Sequence, residues 1–292
     1  MTLEQLRIFV AVAEREHMTA AARALNVTQS AASAAIAALE ERHALKLFHR
    51  VGRGIVLSEA GRLFLDEARS VLARSTAAEA MLDDLGGLKR GTLRVVASQT
   101  TAAYWLPSYL ALFRSKHPLL EIDLAIGNTE QAAARVHDGQ AELGIVEGRI
   151  DDPVLAQWPI GDDRLLLVAA APFAGHVVDA SWLQNARWIM RERGSGTRST
   201  LEAYLRQLGV DPDHLNTALT LPSNESVRTA VEAGAGVAVL SSLVVGPAIT
   251  AGKLHAADFR FDPRPFFGLR HKERYRSRAA DALLQLLPAL TP

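Results

Sequence analysis

Residues 18 to 50, MTAAARALNVTQSAASAAIAALEERHALKLFHR, constrain the fold more than any other stretch of this chain. An alanine-rich segment puts Ala21, Ala22 and Leu25 on one helical face. Asn26, Val27 and Thr28 make a turn, and a second helix from Gln29 turns Ala32, Ile36 and Leu39 inward. Faces this small let two helices cross closely, which is the geometry of a helix-turn-helix whose second helix lies in the major groove of DNA. The same spacing also suits an ordinary amphipathic helix pair in a bundle.

The next residues separate the two readings. Phe48-His49-Arg50 leads into Val51-Gly52-Arg53-Gly54-Ile55-Val56-Leu57, two short strand-like pieces around a Gly-Arg-Gly tip. That pattern reads as a wing whose Arg53 reaches phosphate or the minor groove. Ser58 is then the expected N-cap of another helix. Leu3 to about Arg15 reads as a first helix, with Leu6, Phe9, Val10 and Val12/Ala13 facing a core.

From Leu3 to Gly61 the chain resembles the DNA-binding domain of LysR-type transcriptional regulators. The matching pieces are LEQLRIFVAVAE, TAAARALNVTQSAAS, LEER, LKLFHR and the LSEAG ending. The resemblance continues to the C-terminus. It implies an N-terminal all-α winged helix-turn-helix with a long linker helix, then a C-terminal α/β two-lobed domain built like a periplasmic binding protein. The expected division is 1–58 for the DNA-binding domain, 59–90 for the linker and dimerisation helix, and 91–292 for the effector-binding domain. Lobe one comprises 91–160 and 267–292, and lobe two 161–266.

Within the linker helix, about Glu59 to Leu88, residues Phe64, Ala68, Val71, Ser75, Ala78, Leu82 and Leu85 alternate in steps of four and three. That is the a/d seam of a coiled coil. Phe64, Val71, Ala78, Leu82 and Leu85 are the candidate dimerisation residues. From Thr92 strand-like and helix-like segments alternate, which implies parallel sheets covered by helices on both faces. Ligands then bind at the carboxyl ends of the strands.

Four loops lie at such ends: Ser98-Gln99-Thr100-Thr101, Asn128-Thr129-Glu130, Glu147-Gly148-Arg149 and Glu192-Arg193-Gly194-Ser195-Gly196-Thr197-Arg198. In the last, two glycines let backbone N–H groups turn inward at a helix N-terminus, hydroxyls add donors and arginines add charge, which suits a small oxyanion or carboxylate. The candidate effector residues are Ser98, Thr100, Thr101, Asn128, Thr129, Glu147, Arg193, Ser195, Gly196 and Thr197. Glu147 would repel an anion unless it is protonated or paired with Arg193 or Arg149. The loops GNTE, VEG, RERGSGTR and NESVRTAVEAGAGVAVLS are similar to those of the CysL-like branch tied to sulfur metabolism and sulfite. Regulators of carbon-fixation genes carry similar glycine-serine-glycine loops. The DNA-binding candidates are Thr28, Gln29, Ser30, Ser33, Arg50 and Arg53.

The chain departs from the family pattern in places. Ser30 replaces the usual proline of the recognition helix, so that end is expected to fray more. Ala34, Ala35 and Ala37 leave few long polar readers, so base contacts fall to Gln29, Ser30 and Ser33. His43-Ala44 replaces Leu-Gly, so the following turn must form without glycine.

Composition narrows the function classes. The absence of cysteine excludes disulfides, iron–sulfur clusters and thiol nucleophiles. The nine histidines form no His-x-x-x-His arrangement, so no metal or cofactor is expected. There is no signal-peptide pattern and no run of about 20 apolar residues, which points to a cytoplasmic protein without a membrane partner. Net charge is zero, yet residues 1–58 hold seven Lys/Arg against five acids. A dimer doubles these contacts, so duplex DNA remains a suitable partner. No Gly-x-Ser-x-Gly elbow, P-loop or Gly-x-Gly-x-x-Gly motif supports an enzyme. A solute-binding protein lacks a reason for the N-terminal helices. The leading expectation is a DNA-binding regulator, homodimeric or homotetrameric, that binds promoter DNA and a small anionic metabolite. Sulfite or a related sulfur oxyanion comes first, and a small carboxylate or phosphorylated metabolite is the alternative.

Overall fold

The computed structural model describes residues 1–52, 54–86, 91–173, 175 and 177–288. The chain divides into two compact units, Met1–Leu82 and Asp83–Pro292.

The first unit opens with α1 (Leu3–Arg15), fixed by a capping box between Thr2 and Gln5. Then come α2 (Met18–Ala24) and α3 (Gln29–His43). His17 Nδ1 accepts the Ala20 N–H at 3.2 Å and Thr28 Oγ1 accepts the Ala31 N–H at 3.1 Å, so a side chain satisfies an orphan donor at the start of each helix. Leu6, Phe9 and Val12 of α1 pack on Ala21 and Ala22 of α2 and on Ala32, Ile36 and Leu39 of α3. The turn after α3 does form without glycine. Ala44 takes φ 51°, a left-handed conformation that costs an alanine roughly 1–2 kcal/mol.

Strands β1 (Phe48–Val51) and β2 (Gly54–Leu57) form an antiparallel hairpin. Glu40 fastens it to α3. Its carboxylate accepts the Leu47 N–H at 2.8 Å, the Phe48 N–H at 3.2 Å and Lys46 Nζ at 2.7 Å. Burial alone would raise its pKa, but the Lys46 ammonium and the two backbone donors outweigh this and hold the carboxyl below its usual range.

The LSEAG ending has a local cause. Ser58 Oγ donates to the Lys46 carbonyl at 2.6 Å and accepts the Gly61 N–H at 2.9 Å. A Cβ at Gly61 would sit 2.2 Å from the Leu47 carbonyl oxygen, so only glycine lets α4 (Glu59–Leu85) start against the wing. The expected seam on α4 divides. Phe64 packs on Phe9, ring centroids 4.9 Å apart, and Ala68 is buried in the same core. Val71, Ala78, Leu82 and Leu85 are exposed, as are Leu63 and Met81.

The second unit has two lobes. The first contains β3 (Gly91–Ser98), a π-helical turn at Thr101–Trp105, α5 (Leu106–Lys116), β4 (Leu120–Gly127), α6 (Thr129–His137), β5 (Leu143–Glu147) and β6 (Leu155–Asp163). The second contains β7 (Leu165–Ala169), α7 (Ala180–Asn185), β8 (Trp188–Arg191), α8 (Gly196–Gln207), β9 (Thr217–Leu221), α9 (Asn224–Glu232), β10 (Ala238–Ser241), α10 (Ser242–Thr250) and β11 (His255–Ala256). Strand β12 (Arg264–His271) returns the chain to lobe one, and α11 (Arg278–Leu284) closes it.

The lobe-one sheet has the order β4-β3-β5-β12-β6. Alternate residues of β3 face opposite layers. Val95 and Ala97 pack with Leu106 and Phe113 of α5 and Leu283 of α11, while Val96 packs with Ala132 and Val136 of α6. Lobe two holds the sheets β10-β7-β11 and β8-β9, linked by a bridge between Trp188 and Val237.

Two expectations need correction. The sheets are mixed rather than wholly parallel. Strand β6 leaves lobe one and β12 comes back, so the two pair antiparallel, and β7 pairs antiparallel with both neighbours. The crossing also lies further out than 160/161 and 266/267, because the pairing of β6 with β12 continues to Asp163 and Arg264.

Candidate functional sites

In the first unit the wing and the start of α3 share a groove of about 450 Å³. Gln29 and Ser33 of α3, Arg50 and Gly52 of the wing and His17 before α2 line it. Gln29, Ser30, Ser33 and Arg50 are exposed. Thr28 is engaged as the N-cap, and its Oγ1 lies 3.0 Å from Ser30 Oγ. That contact ties the first turn of α3 where proline is missing. Arg53, the expected wing-tip contact, lies outside the described residues. If Gln29 reads a base edge, Gln29→Ala should weaken specific binding by roughly 1–3 kcal/mol and leave non-specific binding almost unchanged. Equal loss on both duplexes in a titration would reduce Gln29 to a helix-end residue.

In the second unit the four predicted loops converge where the strands end. Ser98 and Thr101 are fully buried and tied to each other, Oγ to Oγ1 at 3.0 Å, with Thr101 Oγ1 also donating to the Ile145 carbonyl at 2.9 Å. Thr129 Oγ1 donates to the Glu147 carbonyl at 2.9 Å. Asn128 caps α6 through Gln131. Across the crevice Asn224 Nδ2 donates to Thr100 Oγ1 at 3.0 Å, the Asn224 N–H donates to Gln99 Oε1 at 3.0 Å, and Gln99 Nε2 reaches the Pro222 carbonyl at 2.8 Å. The glycines of the lobe-two loop allow close approach. A Cβ on Gly196 would meet the Glu147 carbonyl oxygen at 2.4 Å, and Gly194, at φ 83°, would meet the Glu130 carboxylate at 2.7 Å. Ser195 and Thr197 are buried at the start of α8.

The charges are arranged differently from the sequence reading. Arg193 is exposed, so it contributes no buried charge. Arg198 turns back along its helix, with Nε 2.6 Å from Glu202 and Nη1 on the Arg191 carbonyl. Among the described residues the buried cations are Arg264 and Arg191. Arg191 is forked on the Glu192 carboxylate and also donates to Asn224 Oδ1. Arg264 donates to Thr197 Oγ1 at 3.0 Å and is paired with Asp163, whose other oxygen accepts from Ser241 Oγ at 2.7 Å. Arg264 Nη2 is 4.0 Å from Glu147, and its Nε is buried without a partner. Glu147 therefore faces neither Arg193 nor Arg149 as its counter-ion. Its side chain is 4% exposed. Arg191 carried a readable signal, since it ends a strand at the crevice, whereas nothing in the sequence separates Arg264 from exposed arginines. Among the described residues no group of His, Cys, Asp and Glu is placed to hold a metal, and no helix is long and apolar enough to cross a membrane.

A helix-turn-helix unit followed by a two-lobed crevice of this kind defines a ligand-responsive transcription regulator. Residues 3–62 match the bacterial regulatory helix-turn-helix protein model of the lysR family, and residues 86–291 match the LysR substrate binding domain. The chain belongs to the LysR family of transcriptional regulators. It is 32% identical over 300 residues to the helix-turn-helix-type transcriptional regulator YeiE of Escherichia coli K12, covering 100% of this chain and 99% of that one. It is 31% identical over 293 residues to the regulator CbbR of Rhodospirillum rubrum, with 98% and 96% covered. These relatives are regulators and not enzymes. Among solved structures, full-length CbnR in complex with its target DNA superposes with a TM-score of 0.66 at 21% identity, covering 98% of this chain and 99% of that one, and shares the fold. The regulatory domain of Synechocystis CcmR, in complex with 2-PG, superposes with a TM-score of 0.61 at 27% identity, covering 68% of this chain and all of that domain.

Proposed function

We propose that this regulator acts in the cytoplasm as a homodimer or homotetramer, paired through the exposed outer half of α4. The first turn of α3 reads promoter DNA with Gln29, Ser30 and Ser33, and Arg50 holds the backbone beside them. A small oxyanion in the crevice is the effector, bound by the hydroxyls of Thr100, which accepts from Asn224 and keeps its own proton to donate, and of Ser195, and by N–H groups of the loops around them. It changes DNA binding through its unequal affinity for the two lobe angles.

The observation that carries the effector class is the charge of the crevice floor. Glu147 and Asp163 face one guanidinium, that of Arg264. Two carboxylates against one cation disfavour a fully deprotonated anion, while an oxyanion that keeps a proton can donate it to Glu147. Hydrogensulfite meets that requirement, and sulfate does not. The sulfur assignment rests on the loop resemblance together with this charge count. A phosphorylated metabolite is the second reading, because a phosphate monoester also carries a proton near neutrality and the CcmR domain was solved with 2-PG.

Calorimetric titration with sulfite, sulfate, thiosulfate, 2-PG and small carboxylates separates these readings. Sulfite should bind and sulfate should not. Glu147→Gln should admit sulfate and narrow the gap between the two by roughly tenfold or more. Tight sulfate binding by the parent protein would remove the proton requirement, and binding of carboxylates alone would remove the oxyanion. If no member of the panel binds, the loops serve only as helix caps.

A further inference from the structure

A cavity of about 310 Å³ in the second unit is lined by residues that the crevice residues Ser98, Thr100, Asn128 and Ser195 do not join. Lobe one supplies Gly148, Arg149 and Phe267, lobe two supplies successive turns of α8 through Thr200, Ala203 and Tyr204, and the crossing segment supplies Phe261 to Pro265. We propose that this cavity is a second ligand site for a small planar aromatic acid, and that its occupancy is coupled to the crevice.

The chemistry follows from the walls. Tyr204 and Phe261 pack with ring centroids 4.9 Å apart and planes tilted by 55°, and the prolines at 263 and 265 and Phe267 add apolar surface. Such walls favour a planar ring. The volume is at the lower end of the range for small-molecule pockets, which suits a single-ring ligand. Arg149 is exposed at the cavity and has no carboxylate partner among the described residues, so its five donors are available to an acid group. Asp262 also lines the cavity. It repels the acid group, which favours placement on Arg149, and it accepts from a phenolic hydroxyl or ring N–H. The hydroxyls of Ser199 and Thr200 already donate to the Gly196 carbonyl, so they hold the helix rather than the ligand.

The coupling follows from shared parts. Glu147 of the crevice is followed directly by Gly148 and Arg149 of the cavity. Helix α8 places Thr197 in the crevice and Thr200 in the cavity, one turn apart. Arg264 joins the two, since its guanidinium reaches Thr197 and its residue lines the cavity. A ligand held between α8 and the 148–149 segment resists any change in the angle between lobes, so each site alters the affinity of the other by the same factor.

The test is calorimetric titration of the full-length protein with 4-hydroxybenzoate, with cyclohexanecarboxylate as the non-planar comparator. One saturable site per chain is expected, with the comparator roughly tenfold weaker. Arg149→Ala should weaken 4-hydroxybenzoate roughly tenfold, the loss of one charge-assisted contact. Ala203→Trp fills the cavity from an exposed helix position and should abolish binding. Arg149 is a surface residue, so its variant keeps the test valid if the tryptophan variant misfolds. Saturating sulfite should change the affinity without changing the stoichiometry. No saturable binding, binding that survives both substitutions, equal binding of the comparator, or simple displacement by sulfite would each overturn the proposal. A protein that ignores sulfite but binds 4-hydroxybenzoate at this site keeps the second cavity and loses the crevice reading.

Discussion

Arg264→Met should destabilise the second unit by about 3–5 kcal/mol, the range for a buried ion pair that loses one partner. The arginine is almost fully enclosed, and so are Asp163 and Glu147. Methionine fills comparable space but leaves two buried carboxylates with no cation within reach. Thr197 also loses its donor at the start of α8. Arg264→Lys should cost less, because one ammonium can approach Asp163 but cannot also span to Thr197 as the fork does. Urea unfolding followed by tryptophan fluorescence reads the difference, since all four tryptophans lie in the second unit. The double variant Arg264→Met/Asp163→Leu should recover part of the loss, because Glu147 is then the one carboxylate of the pair left facing the missing guanidinium. An Arg264→Met midpoint within about 0.5 kcal/mol of the parent, the usual scatter for an exposed substitution, would mean that the pair contributes nothing to the fold.

The second large effect is expected in assembly. Leu82 is 68% exposed and Leu85 is 77% exposed, one turn from each other on α4. Two leucines left in water on a long helix gain by meeting a second copy. On the proposed pairing, Leu82→Glu places like charges across the two-fold axis, which costs several kcal/mol and should weaken association about a hundredfold or more. Leu82 lies outside the first unit's core, so helix content should stay unchanged. Sedimentation should show monomers at concentrations where the parent is dimeric, and DNA affinity should fall because two half-sites are no longer held together. An intact dimer would move the interface elsewhere on the chain.

The elements read most accurately in the sequence are those set by adjacent residues. The starts of α1 and α3 are held by Thr2, Gln5 and Thr28, whose caps form within three residues. The parts that escaped depend on distant partners or on broken patterns. Strand β6 contains Pro159 and a polar end, so it reads as a loop, and its partner β12 lies about a hundred residues away. Helix α10 is uniformly apolar and contains Gly246 and Pro247, which conceal its period. The π-helical turn at Thr101–Trp105 and α5 read as one continuous helix, because the extra residue in the turn leaves no mark in the apolar spacing. At the crevice the hydroxyl and glycine loops were legible because strand ends have a fixed meaning in α/β folds. The buried arginine of the crossing strands was not. Arg193 and Arg198 stood at the two ends of a glycine-containing loop and drew attention, although the spacing of Arg198 and Glu202 already describes a pair along a helix. Arg264 becomes visible only when the crossing strands bring Asp163 and Thr197 to it.

Helix α4 has a further consequence. Its inner turns, at Phe64 and Ala68, are clamped into the first unit, while Val71, Leu82 and Leu85 stand free further along. A stiff helix carries angular phase as faithfully as length, so the clamp fixes the direction in which the free leucines point. In a paired molecule that phase acts as a ruler that sets the spacing and mutual rotation of the two reading heads. Inserting one residue between Ala73 and Leu82 would lengthen the ruler by only about 1.5 Å but turn the outer face by about 100°. On the proposed pairing, operator spacing is encoded less by the residues that touch DNA than by the number of residues in a helix that does not.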